Sequence, residues 1–129
     1  VGDTATPFEH RGFGQELALC QRYYTKLGPS GPYMRFGAGL NISTVTNSCF
    51  VTLPTTMRAV GTLSGGGTFA VYNANGAVSA VSSTAIDTGG SSPTMVIIEA
   101  TTASLTAGSF GILIANNNAT TFIAVDAEL

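Results

Sequence analysis

Charge is what this sequence has least of. Only 9% of its 129 residues are Asp, Glu, Lys or Arg, against about a quarter in a typical soluble domain. Five basic residues against seven acidic ones leave a formal charge of −2. That excludes the clustered Lys/Arg surface that nucleic-acid phosphates demand, so no nucleic acid is expected as a partner. Tryptophan is missing altogether, and there are two cysteines and a single histidine. No apolar run reaches the roughly eighteen residues of a membrane-spanning helix. The longest, "MVIIEA" and "FGILIA", are strand-sized, and no membrane insertion is expected. No targeting segment is visible, and a sequence opening on Val1 reads as processed or as part of a longer polypeptide.

These shortages leave little for catalysis. Hydrolysis needs a nucleophile with a base in reach, or two carboxylates flanking a bond. His10 lies in the Gly-bounded "FEHRGFG" with no nucleophile motif beside it, and reads as a solvated or hydrogen-bonding residue. Asp87, Glu99, Asp126 and Glu128 are scattered, and the Asp126/Glu128 pair reads as a solvated stretch rather than a cation site. No spacing typical of zinc or calcium ligands occurs. "LSGGGTF" lacks the Lys-Ser/Thr of a phosphate loop and reads as a turn between strands. The chain is therefore read as non-enzymatic, with no catalytic, metal or cofactor-binding residues and no cofactor. Cys20 and Cys49 read as free, buried thiols rather than as a disulfide. The tripeptides Asn41-Ile42-Ser43 and Asn118-Ala119-Thr120 have the form of glycosylation sites, a form that arises often by chance in a chain so rich in Asn, Ser and Thr.

What is abundant is Ala, Thr, Ser and Gly, which suit strands and turns. "NSCFVTLPTTM" alternates Cys49, Val51 and Leu53, then Met57, with Pro54 marking an edge or break. "GTFAVYNANGAVSAV" reads as a hairpin, with Phe69, Val71 and Tyr72 on one arm, Val78 and Val81 on the other, and Asn75-Gly76 as the positive-φ turn. "TMVIIEATTA" and "GSFGILIANN" are two further strands, 116–118 is a turn, and "TTFIAVDAEL" sets Phe122, Ala124 and Asp126 against Ile123 and Val125. No internal repeat is evident. The fold expected is all-β, an antiparallel jelly-roll-like β-sandwich, preceded by a short N-terminal helical or extended element. High hydrophobicity (44%) with so little charge favours an oligomer, or a domain packed into a larger assembly.

The charge that exists gathers at one end. Residues 1–36 hold Asp3, Glu9, Arg11, Glu16, Arg22, Lys26 and Arg35; only Arg58, Asp87, Glu99, Asp126 and Glu128 follow. We read 1–36 as a charged and aromatic element packing on a β-sandwich of 37–129, the whole forming one domain. In "FGQELALCQRYY", Leu17, Cys20 and Tyr24 share a helical face, while 19–24 also alternate. The pattern predicts a helical turn over 15–19 and a strand over 20–26. Tyr23 and Tyr24 are then expected on opposite strand faces, one of them in the core.

Sugar sites combine aromatic rings, which meet the C–H face of a pyranose, with Asn, Asp or Arg for its hydroxyls. Tyr72, Asn73 and Asn75 of the hairpin and the pair Tyr33 and Arg35 are the candidates for contact with a glycan or receptor; turn and rim roles are the alternative, and the lack of Trp weighs against a sugar site.

Three stretches, "FEHRGFGQELALCQRYYTK", "FVTLPTTMRAVGTL" and the closing "FIAVDAEL", together resemble a C-terminal module of tailed-bacteriophage fibre and other virion structural proteins. In that family an R-x-[FY]-x-x-E-L-x-x-C-Q-R-Y-[FY] segment leads into a β-sandwich. The residues carrying the likeness are Arg11, Phe13, Glu16, Leu17, Cys20, Gln21, Arg22, Tyr23 and Tyr24, then Pro54, Met57 and Arg58, then 127–129. The family usually has proline two residues after its Met-Arg, where this chain has Ala59-Val60-Gly61. The resemblance implies a homotrimer at the virion surface, assembled with other virion proteins, serving assembly and host attachment as the distal part of a tail fibre or spike, and touching a host glycan. A capsid decoration or head-fibre protein fits the same motifs, and a free-standing lectin-like module is the reading from a different class. It also implies that Glu16, Arg22 and Arg58, with Tyr23 and Tyr24, form a structural network of buried or interfacial ion pairs.

Overall fold

The computed structural model describes residues 12–128. In chain order these form α1 (Phe13–Gln21), β1 (Tyr24–Leu27), β2 (Arg35–Asn41), β3 (Thr46–Thr52), β4 (Thr62–Gly66), β5 (Phe69–Asn73), β6 (Val78–Ile86), β7 (Met95–Thr102), β8 (Phe110–Ala115) and β9 (Phe122–Asp126). Apart from one short helix the described residues are all-β, and every strand pairing among them is antiparallel. Six strands close on themselves in the order β2-β3-β7-β6-β5-β8, with β8 pairing back to β2, and β1-β9-β4 make a separate three-stranded sheet.

Alternation places the core. Cys49 and Val51 on β3, Val71 on β5, Val96, Ile98 and Ala100 on β7 and Leu113 on β8 are fully buried, their neighbours along each strand facing out. Leu53 and Met57 continue the β3 series inward after the strand ends, two residues ahead of Pro54. Ile123 and Val125 of β9 join the same cluster, so the three-stranded sheet packs on the core of the closed one. Each Val, Leu, Ile and Met side chain among these contributes about 1.5–3 kcal/mol on burial. β9 lies between two partners, and Ala124 is as buried as Ile123 and Val125. The two-faced alternation expected there gives way to a strand covered on both sides.

The inner layer at the other end of β3 is polar. Asn41 and Asn47 are directly paired across β2 and β3, and both are fully buried. Asn47 Nδ2 donates to Asn41 Oδ1 (2.8 Å), and Asn41 Nδ2 reaches Ser109 Oγ (2.8 Å), Thr106 O and Asn73 Oδ1 (both 3.3 Å). Asn73 Nδ2 passes the chain on to Ser79 Oγ (3.1 Å). Gly111 faces this plug: a Cβ there would come within 2.7 Å of Asn47 Nδ2 and 2.8 Å of Asn41 Oδ1.

The expected hairpin is β5–β6, with Val71 opposite Ser79 and Tyr72 opposite Val78. Only Gly76 of the Asn75-Gly76 pair takes positive φ (+84°). Gly76 N donates to Asn73 O and Asn73 N to Ala77 O, a three-residue loop closed by a left-handed glycine. "LSGGGTF" runs from β4 directly into β5.

α1 is longer than the predicted turn at both ends, and β1 begins only at Tyr24. Tyr23 therefore lies in the turn before the strand. It is 45% exposed and Tyr24 46%, so neither enters the core, which corrects that expectation. The sequence boundary at residue 36 falls inside β2, and β1 pairs with β9, so the described part of the N-terminal segment is woven into the β structure. Both cysteines are free: Cys49 is buried as expected, Cys20 exposed on α1. His10 and Arg11 lie outside the described residues.

Candidate functional site

Tyr33, Arg35 and Tyr72 come together. With Val78 and Ile114 they line a cavity of about 230 Å³ on the outer face of the closed sheet. Its construction starts in β2. Pairing with β8 is regular from Leu40 opposite Phe110 to Gly37 opposite Leu113, then the register shifts so that Arg35 rather than Phe36 faces Ile114. A bulge of this kind re-aims a side chain without losing the strand. Phe36 packs against the Phe69 ring, centroids 5.5 Å apart, and Arg35 joins the outer row of Ile114.

The turn ahead of β2 is fastened to the far end of β8. Met34 N donates to Gly31 O (3.3 Å), Ala115 N to Met34 O (2.8 Å) and Asn118 N to Pro32 O (3.0 Å). Tyr33, 60% exposed, thus stands on an anchored backbone as one wall. Tyr72 and its cross-strand partner Val78 make the opposite wall. Ile114, only 5% exposed although it faces outward, is the floor. Among the described residues no carboxylate pairs with the exposed Arg35 guanidinium.

The two asparagines of the candidate set go elsewhere. Asn73 is buried in the polar plug. Asn75 sits in the hairpin loop, its Oδ1 accepting from Ala77 N at 3.1 Å, so here the turn role is the one observed. The sequence marks Val78 and Ile114 only as strand residues. Their outward position follows from register, which the sequence does not carry. A second cavity of about 230 Å³ is lined by Gly67, Thr68, Phe69, Val81, Ser82, Ser83 and Thr84 and has no charged group.

The motif residues are organised by backbone contacts. Arg58 N donates to Arg22 O (2.9 Å) and Ala127 N to Tyr23 O (2.7 Å), while Thr55 Oγ1 donates to Gln21 Oε1 (3.0 Å). The three stretches that carry the family likeness therefore meet in space. The ion pairs expected of Arg22 and Arg58 do not form among the described residues. Both side chains are exposed, and the Arg58 guanidinium lies 5.5 Å from the centroid of the Tyr23 ring instead. Solvent satisfies these guanidinium groups more cheaply than burial would. Glu16 is exposed in the first turn of α1, where a carboxylate complements the helix dipole.

The other acidic groups are used locally. Asp87 Oδ1 accepts from Gly89 N and Gly90 N, and Asp126 Oδ1 from Glu128 N. Asn41, first residue of one glycosylation-like tripeptide, is fully buried. No family model, curated protein or solved structure matched the chain.

Large apolar side chains remain on the outside. None of the residues of α1 is buried, with Phe13 82% and Leu17 45% exposed. On the closed sheet, cross-strand pairing sets Val78, Tyr72, Ile112, Ala38, Phe50 and Ile97 in one outer row. Leu40 and Phe110, paired and about half exposed, lie beside it.

Proposed function

We propose that this chain is a non-enzymatic structural domain of a bacteriophage virion, the distal module of a tail fibre or spike, acting in assembly and attachment to the host surface. The observation that carries the proposal is α1. An isolated helix shorter than about 12–15 residues is marginal in water; α1 spans nine, carries Phe13 and Leu17 exposed, and buries none of its residues. A partner that covers Phe13 and Leu17 would add to the hydrogen bonds that tie the end of α1 to its own chain, and Leu40, Phe50 and Phe110 offer a matching apolar face on the same molecule. Copies of the chain that cover one another's apolar surfaces satisfy both, in line with the homotrimer that the motif resemblance implies. We read the closed sheet as a flattened, jelly-roll-like body, its arcs meeting across Val51, Val71, Ile98 and Leu113. A capsid decoration or head-fibre protein would use the same assembly face.

A lectin-like module is the second reading, favoured by the Tyr33–Arg35–Tyr72 cavity. Light scattering coupled to size exclusion separates the two: three chains of 13.1 kDa per particle supports the virion module, and a monomer at high concentration overturns it in favour of the lectin.

A further inference from the structure

We infer that the Tyr33–Arg35–Tyr72 cavity binds a single acidic sugar residue, a pyranose bearing a carboxylate, as the point of attachment to a surface polysaccharide. This rests on the attachment reading above and adds the ligand class. The chemistry follows from the lining. Two phenol rings, Val78 and Ile114 present an almost wholly apolar surface, suited to the C–H face of a ring rather than to a chain of hydroxyls. Arg35 is the charged group of that lining, and it has no carboxylate partner among the described residues. A planar guanidinium beside an apolar floor binds a carboxylate by donating two parallel N–H···O bonds, and the tyrosine hydroxyls at the walls remain for the hydroxyls on the ring. The volume has room for one ring. A cavity of about 150 Å³ already admits benzene, so 230 Å³ takes one substituted six-membered ring. An extended acidic peptide would need a groove.

Construction also points to a site. The bulge at Phe36 brings Arg35 opposite Ile114, and the hydrogen bonds from Ala115 and Asn118 hold the Tyr33 turn in place. The guanidinium is thus presented by the sheet rather than by a loose loop. The outer apolar row runs across all six barrel strands, so one partner cannot cover all of it.

The test is a titration of the assembled protein with the methyl glycosides of glucuronic acid and of glucose, followed by amide and side-chain NMR shifts, with a hexaglutamate peptide as a third probe. The acidic sugar is expected to bind, shifting Tyr33, Tyr72 and Ile114, and the glucoside to bind at least about tenfold more weakly, the scale of a lost charged hydrogen bond. Arg35→Gln should abolish that preference, Arg35→Lys should keep part of it, and Asn75→Ala, outside the cavity, should leave it intact. Equal binding of both sugars overturns the acidic assignment and leaves attachment standing. Binding of the peptide without either sugar overturns the sugar, and no binding of any probe overturns the inference as a whole. The assembly reading is judged separately, by the particle mass of the same sample.

Discussion

At the scale of single residues, stability depends on what each buried polar group finds as a partner. Burial pushes the Cys49 thiol from its ordinary value of 9.0 up to about 11, against a smaller lowering by a backbone hydrogen bond with Leu113. The folded state therefore holds a proton that the unfolded chain releases between those values. Stability is at its full value below pH 9 and falls as pH rises through the window, by up to about 1.4 kcal/mol per pH unit. Denaturant titrations at pH 8 and pH 10.5, compared with Cys49→Ala, should show this fall in the parent and not in the variant. The exposed Cys20 should react with a thiol reagent at pH 8 while Cys49 stays protected. Thr102 Oγ1 is buried without a protein partner among the described residues. Thr102→Val removes the stranded hydroxyl and keeps the shape, so the variant should gain about 1 kcal/mol in chemical denaturation; a loss of that size would mean the hydroxyl is satisfied. Gly111→Ala should cost about 1–3 kcal/mol by overpacking the asparagine plug.

At the scale of elements, patterns confined to neighbouring residues were legible and those set by distant strands were not. The β5–β6 hairpin could be read from Asn75-Gly76 between two apolar runs, although which of the two takes positive φ depends on loop length. The core series Cys49, Val51, Leu53 and Met57 was legible from alternation. α1 was underestimated at both ends because its apolar face is weak and nothing in the sequence separates a helix from alternation over 19–24. Asn41 reads as part of a glycosylation-like tripeptide and Asn73 as a glycan contact or turn residue, since only closure of β2 onto β8 brings them with Asn47 into one buried plug. The cavity was half legible. Tyr33, Arg35 and Tyr72 could be picked out by chemistry, but the bulge at Phe36 that sets Arg35 over Ile114 is a matter of register. The exposed face of α1 yields its own prediction. Leu17→Asp removes little from the core of one chain, so it should leave the near-native unfolding of the β body intact, within about 0.5 kcal/mol, while the particle mass falls to that of one chain.

At the scale of the whole molecule, the described residues form a closed antiparallel sheet with an apolar core, a polar plug and large apolar side chains on its outside, a surface that the proposed assembly would cover. The low charge of the chain, 9% of its residues, accords with that proposal, because a surface used for contact gains nothing from solvated Lys and Glu. The central claim is that copies of the chain cover α1 and the Leu40–Phe50–Phe110 face. Amide hydrogen exchange across α1, followed through a dilution series with particle mass recorded on the same samples, tests it most directly. The account predicts strong protection of α1 in the multi-chain particle, lost together with mass on dilution while the β7 and β8 amides stay protected. Protection of α1 that persists unchanged in a one-chain particle would contradict it.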